Sequence, residues 1–85
     1  TLRVQEPLRG TLFYLDSDVP RENQTVALSA FGAGGAPLEW KCETAPIVYR
    51  GGLPRLQLRE GIHVVRVCEP GSHRTAETWV EVRPL

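Results

Sequence analysis

Apolar and polar residues alternate with a period of two along most of this chain, and no stretch carries the three-to-four spacing of a helix face. Leu2 to Gln5 and Thr11 to Leu15 predict a first strand broken at Pro7. Asp16-Ser17-Asp18-Val19-Pro20 is turn chemistry, because Asp side chains bond nearby backbone and Pro20 supplies no ladder donor. Val26, Leu28 and Ala30 then alternate with Ala27, Ser29 and Phe31 as a half-buried strand, which Gly32-Ala33-Gly34-Gly35 ends in a hairpin loop. In the next strand Leu38, Trp40 and Cys42 share the core face, with Glu39, Lys41 and Glu43 on the other.

The second half repeats the pattern. Pro46 to Arg50 predicts a short strand closed by Gly51-Gly52, and Leu56 and Leu58 alternate with Arg55, Gln57 and Arg59. His63, Val65 and Val67 form one face of the following strand, and Ile62, Val64 and Arg66 the other. Glu69-Pro70-Gly71-Ser72 matches a type II turn, with Pro second and Gly third. Thr78, Val80 and Val82 then alternate with Trp79, Glu81 and Arg83. Seven or eight short strands separated by turn signals predict an all-β protein, an antiparallel β-sandwich.

An immunoglobulin-like plan accounts for the placement of several residues. Such domains bury a Trp on the third strand and set an aromatic corner residue near the start of the sixth. Trp40 lies twelve positions after Leu28, and His63 lies two before Val65. Leu28 against Val65 is then the expected central inter-sheet pair, a hydrophobic contact where antibody domains use a disulfide. His63 takes the corner position, with a ring nitrogen reaching backbone.

Composition narrows the classes of function. Eighty-five residues suit one domain, spanning 1–85, with a single thin core. Ten basic residues balance ten acidic ones, and the basic residues are scattered rather than interleaved with aromatics. No nucleic-acid partner is therefore expected. No run of about 18 apolar residues is present to span a bilayer. The chain opens on Thr1 in what already reads as a strand and contains no Met, the expectation for a piece excised from a longer protein.

Catalytic and metal constellations are not legible. Cys42, Cys68, His63 and His73 do not fall at zinc-ligand spacings. Asp16, Asp18 and Glu22 are too few oxygens around a stiff Pro20 for calcium. The glycine loop lacks the Lys and Ser/Thr of a phosphate cradle and leads into a strand. Ser72 and His73, adjacent on one turn, cannot form a nucleophile–base pair with Asp16 or Glu69. No cofactor, metal or catalytic residue is expected.

A Cys42–Cys68 disulfide is not expected either. With the third and sixth strands as antiparallel neighbours, Cys42 falls near Ile62 and Cys68 near Pro37. That offset is about six residues, roughly 20 Å at the rise of a strand, beyond the ~7 Å that a disulfide spans between Cα atoms. Strand parity gives Cys42 the core face, shielded from alkylation, and Cys68 the outward face. The functional lead is a set of outward apolar residues: Phe31, Ile62, Val64 and Trp79. Val64 and Trp79 lie on strands expected to be neighbours, and an apolar patch of that kind marks a contact surface or a face covered by an adjoining domain.

The chain also resembles the C-terminal domain of penicillin-binding protein 1C. The residues that carry the resemblance are Gly10-Thr11, Leu15-Asp16 with Asp18 and Pro20, Gln24, Leu28 with Ala30, Gly32, Trp40, Gly61 with His63, and the closing Val80 and Val82. The resemblance implies a parent that is a class A bifunctional peptidoglycan synthase, anchored in the inner membrane with its catalytic domains in the periplasm. Neither activity would reside in this piece. It implies a non-catalytic periplasmic accessory domain, contacting its own transpeptidase domain or another periplasmic protein. Peptidoglycan glycan strands are the alternative partner, with Trp79 stacking on sugar rings beside Arg66 or Arg83.

Overall fold

A computed structural model describes residues 1–32, 34, 35 and 37–85. Nine strands account for most of them: β1 (Arg3–Glu6), β2 (Thr11–Leu15), β3 (Thr25–Ala27), β4 (Ser29–Phe31), β5 (Glu39–Lys41), β6 (Ile47–Arg50), β7 (Leu53–Gln57), β8 (Gly61–Glu69) and β9 (Arg74–Pro84). The only helical element among the described residues is one 3-10 turn at Arg21–Asn23, which the period-two pattern did not signal. Among the described residues no helix is long and apolar enough to cross a membrane. The all-β class expected from the sequence is what the chain adopts.

The strands form a four-stranded sheet in the order β2-β9-β8-β5, a three-stranded sheet β3-β7-β6, and a separate pair β1-β4. One inner core joins the four-stranded and three-stranded sheets. Leu56 of β7, Val65 of β8 and Val80 and Val82 of β9 cluster with Leu28, Ala45 and Leu58, and Phe13, Trp40 and Ile47 pack around them. Burying each aliphatic side chain of this kind contributes about 1.5–3 kcal/mol over leaving it exposed. Leu28 and Val65 both belong to this cluster, Trp40 is half-buried against it, and the inward residues of β8 and β9 follow the predicted parity.

The pairing is mixed rather than purely antiparallel. β1 pairs antiparallel with β4, whereas β2 pairs parallel with β9. Pro7 has no N–H with which to extend the β1 ladder, so the chain crosses there to the other sheet. The crossing is held by Thr78 Oγ1 donating to the Pro7 carbonyl at 3.1 Å and by Gly10 N–H donating to the Trp79 carbonyl at 2.8 Å. The strand expected over 26–31 is likewise divided. The Leu28 N–H still bonds Pro54 O of β7, but the next residues turn to β1. These two divisions raise the count to nine.

Two turns show how local chemistry sets the register. Gly51 and Gly52, at φ 58° and 79°, form a two-residue connection between the paired Arg50 and Leu53. Two positive φ values in a tight hairpin are what paired glycines permit. The turn after β8 is not type II. Ser72 N–H does bond Glu69 O at 3.3 Å, but the left-handed residue is His73 (φ 57°) rather than Gly71. Pro70 opens a tight turn, and the reversal is completed two residues later than the Pro-Gly pair suggested. In the glycine loop before β5, Ala33 lies outside the described residues.

Polar side chains pin the ends of the sheets. Gln24 accepts from Asp16 N–H at 2.8 Å and donates to the carbonyls of Asp16 and Val19, both at 3.0 Å. Asp16 caps its own turn by accepting from Asp18 N–H at 2.9 Å. His63, only 3% exposed, lies 2.6 Å from Arg59 O through Nε2 and 2.6 Å from Thr44 Oγ1 through Nδ1. A carbonyl can only accept, so Nε2 carries a proton, and in the neutral ring Nδ1 accepts from the Thr44 hydroxyl. The ring thus ties the turn before β8 to the segment that follows β5.

Candidate functional site

The outer face of the four-stranded sheet is built by strict alternation along β8 and β9. Val64 lies directly opposite Trp79, Ile62 opposite Glu81 and Arg66 opposite Glu77. The rung joining Val64 and Trp79 is of the non-hydrogen-bonded kind. The Trp79 carbonyl accepts from Gly10 N–H, so its backbone polar groups turn toward β2 and away from β8. In antiparallel ladders such rungs hold their side chains closest together. Val64 is 46% exposed, Ile62 62% and Trp79 37%, so this face is apolar and open to solvent.

Trp79 is set by its neighbour as well as by its strand. A Cβ at Gly10 would come within 3.4 Å of Cζ2 of the indole, so the ring lies over that glycine. Gly10 has φ 80°, a left-handed conformation in which a residue with a Cβ is disfavoured. The same glycine therefore permits the turn and donates to Trp79.

Charged pairs frame the apolar rungs. Arg66 Nε donates to Glu77 Oε2 at 3.0 Å on one side, and Arg83 Nε donates to Glu81 Oε2 at 2.7 Å on the other. The bond and charge of Glu81 raise the pKa of Arg83 above its ordinary value. Leu12 of β2 lies opposite Glu81, and Tyr14 opposite Arg83, and both are exposed. Sequence reasoning did not place them on this face. Thr11 to Leu15 is apolar in both phases, and only the parallel pairing with β9 shows which phase points out. The result is an apolar centre with a polar rim, the layout of a protein contact surface.

Phe31 does not join this face. It ends β4, in the pair with β1, and its ring lies under the Arg3 guanidinium at 4.8 Å. Phe31 is exposed, but parity does not say to which sheet a strand belongs. Ile62, Val64 and Trp79 are the members of the predicted set that the fold brings together.

The cysteines are both free and half-buried. Their register differs from the expected one. β5 pairs Glu39 with Cys68, Trp40 with Val67 and Lys41 with Arg66, which puts Cys42 in line with Val65 rather than Ile62. The offset between the thiols is three residues, about 10 Å along a strand, still too far for a disulfide. Cys42 is less shielded than its core parity suggested. Its sulfur lies 3.7 Å from Thr44 Oγ1, and it lines a groove beside β8.

The groove, of about 660 Å³, runs between the outer side of β8 and the segment from Trp40 to Ile47. Among the described residues no three His, Cys, Asp or Glu side chains gather as a metal site. Ser72 Oγ donates to Glu69 Oε1 at 2.5 Å and so helps to hold the turn after β8. No protein-family model, curated protein or solved structure matches this chain.

Proposed function

We propose that this chain is a non-catalytic immunoglobulin-like accessory domain that contacts a protein partner through the outer face of its four-stranded sheet. The observation that carries the reading is the exposed Val64–Trp79 rung, flanked by Ile62 and Leu12 and rimmed by the Arg66–Glu77 and Arg83–Glu81 pairs. The strand order supports the immunoglobulin-like part. With β3 and β4 taken as one strand divided at Leu28, the order β1-β3/β4-β7-β6 faces β2-β9-β8-β5, as in the two sheets of such domains.

The resemblance to the C-terminal domain of penicillin-binding protein 1C supports a specific partner, the transpeptidase domain of a class A peptidoglycan synthase. It also supports a periplasmic setting within an inner-membrane-anchored parent. The test is binding to a purified transpeptidase domain of that class, measured with the wild-type chain and with Trp79→Ser. The wild type binds saturably, and the variant binds about tenfold more weakly, the cost of truncating one aromatic anchor. No binding, or equal binding by both, overturns the reading. Sedimentation with purified peptidoglycan at low salt separates it from glycan recognition: a protein-contact domain stays in the supernatant.

A further inference from the structure

The four-stranded sheet is incomplete along part of one edge. β8 runs from Gly61 to Glu69, but β5 pairs only with Arg66, Val67 and Cys68. The orientation of the uncovered groups follows from the rung described above. The Trp79 backbone turns toward β2, so the opposing Val64 turns its N–H and C=O away from β9, toward the side that β5 occupies farther along. Period two gives Ile62 the same orientation, and Arg66 and Cys68, which face β5, obey it too. Past Lys41 the chain leaves the sheet, and among the described residues no strand replaces it. Among the described residues no backbone bond outside the strand ladders reaches Ile62 or Val64.

Four backbone groups in a row, two donors and two acceptors at strand spacing, therefore face the groove. Only another extended backbone repeats that alternation, which is how sheet edges take up peptides. The groove volume of about 660 Å³ falls within the range of ligand-sized clefts. The side chains beside the edge, Ile62 and Val64, are apolar and exposed. At the end where β5 stops, Lys41 makes no ion pair among the described residues, whereas its neighbour Arg66 is held by Glu77.

We infer that the open edge of β8 binds an extended polypeptide segment, aligned antiparallel to β8 as a continuation of β5. That direction sets the amino-terminal end of the segment beside Lys41. The segment carries an acidic residue there, followed by apolar side chains at alternate positions that lie next to Val64 and Ile62. Main-chain bonds supply the affinity, and the lysine and the two apolar residues supply the sequence preference. This edge site goes beyond the flat-face contact proposed above and shares only Ile62 and Val64 with it.

The probe is a blocked nine-residue peptide of one aspartate followed by alternating valine and serine, added to the chain while backbone amide exchange is followed by NMR. Exchange at Ile62 and Val64 slows at least tenfold on saturation, and Lys41→Glu weakens binding about threefold to tenfold, as loss of one charge pair and a new repulsion require. The decisive comparison leaves the protein unchanged. Methylating the peptide nitrogens that face β8 weakens binding more than about tenfold, since each removes a main-chain donor, whereas methylating the alternate nitrogens leaves it within about threefold. Leu12→Ala, which alters the flat face on β2 two strands away from the edge, leaves peptide binding within about threefold, so the edge and the flat face fail separately. Unchanged exchange at Ile62 and Val64, or equal binding of the two methylated peptides, overturns the inference. So does protection that grows with protein concentration without peptide, which would make a second copy the occupant.

Discussion

Glu69 and Arg74 oppose each other in the last rung of the β8–β9 ladder, and one carboxylate oxygen of Glu69 accepts both guanidinium donors, Nε at 3.2 Å and Nη2 at 2.8 Å. Glu69 is only 4% exposed, yet it carries more bonds than the pair alone. Ser72 Oγ donates to the same oxygen at 2.5 Å, and Gly34 N–H donates to Oε2 at 2.9 Å. A single buried charge thereby closes the hairpin and draws the glycine loop against it. The bond from Ser72, then those from Arg74 and Gly34, lower its pKa from 4.5 to about 2.

That depression has a definite consequence for stability. A carboxylate whose folded pKa lies below its unfolded one contributes stability that is complete above the unfolded value. The contribution is lost as pH falls through the folded value. Urea midpoints of the wild type are expected to be level above about pH 5 and to decline between about pH 4.5 and 2. Glu69→Gln lowers the midpoint at pH 7 and flattens the decline in that window. An unchanged acid limb in the variant would show that Glu69 does not carry it.

His73 holds the left-handed position of the same hairpin (φ 57°) and is exposed. A β-branched residue there meets the full steric penalty, so His73→Val is expected to cost about 1–2 kcal/mol. His73→Gly, which meets none, is expected to be neutral or stabilising by up to about 1 kcal/mol. Denaturant titration of both variants reads the difference. Equal midpoints would mean that the turn rearranges to avoid the left-handed conformation.

The same hairpin shows what alternation can and cannot reveal. The faces of β8 and β9 were legible because burial on one side imposes a period of two, and a one-residue slip would expose Val65, Val67, Val80 and Val82 together. The meeting of Val64 with Trp79 followed from neighbouring strands. Turn type did not follow, because Pro70-Gly71 satisfies a type II pattern while the left-handed residue is set by how the closing strands must twist. The expected pairing of β8 with its neighbours β5 and β9 holds, but the partners of β1 and β2 were not legible. Nothing in Leu2 to Leu15 states that its two halves join different sheets, so Leu12 and Tyr14 went unassigned and Phe31 was grouped with Trp79. β5 stops at Lys41, and three residues are too few for a pattern.

Gln24 offers a test of a side chain acting as a strand. Its amide both accepts from and donates to the backbone of Asp16 and also reaches Val19 O, so removing it strands part-buried backbone groups. Gln24→Ala is expected to cost about 1–3 kcal/mol. Gln24→Glu is expected to be nearly as damaging, since it keeps the acceptor for Asp16 N–H but sets a carboxylate oxygen against two carbonyls. Thermal unfolding and exchange at the Asp16 amide report both effects. A Glu variant as stable as wild type would mean that the two donated bonds contribute little.

Thr44 is exposed, and a surface substitution there would ordinarily change stability by less than about 0.5 kcal/mol. Its hydroxyl, however, is the donor to Nδ1 of buried His63, whose Nε2 is already committed to Arg59 O. Thr44→Val keeps the shape and removes the donor, leaving a buried lone pair without a partner, at an expected cost of about 1–3 kcal/mol. Thr44→Ser keeps the donor and is expected to stay within about 0.5 kcal/mol of wild type. The nitrogen chemical shifts of His63 check the assignment directly. In the wild type Nδ1 gives the unprotonated resonance and Nε2 the protonated one. The reverse tautomer would place the proton on the Thr44 side, and Thr44→Val would then remove an acceptor rather than a donor.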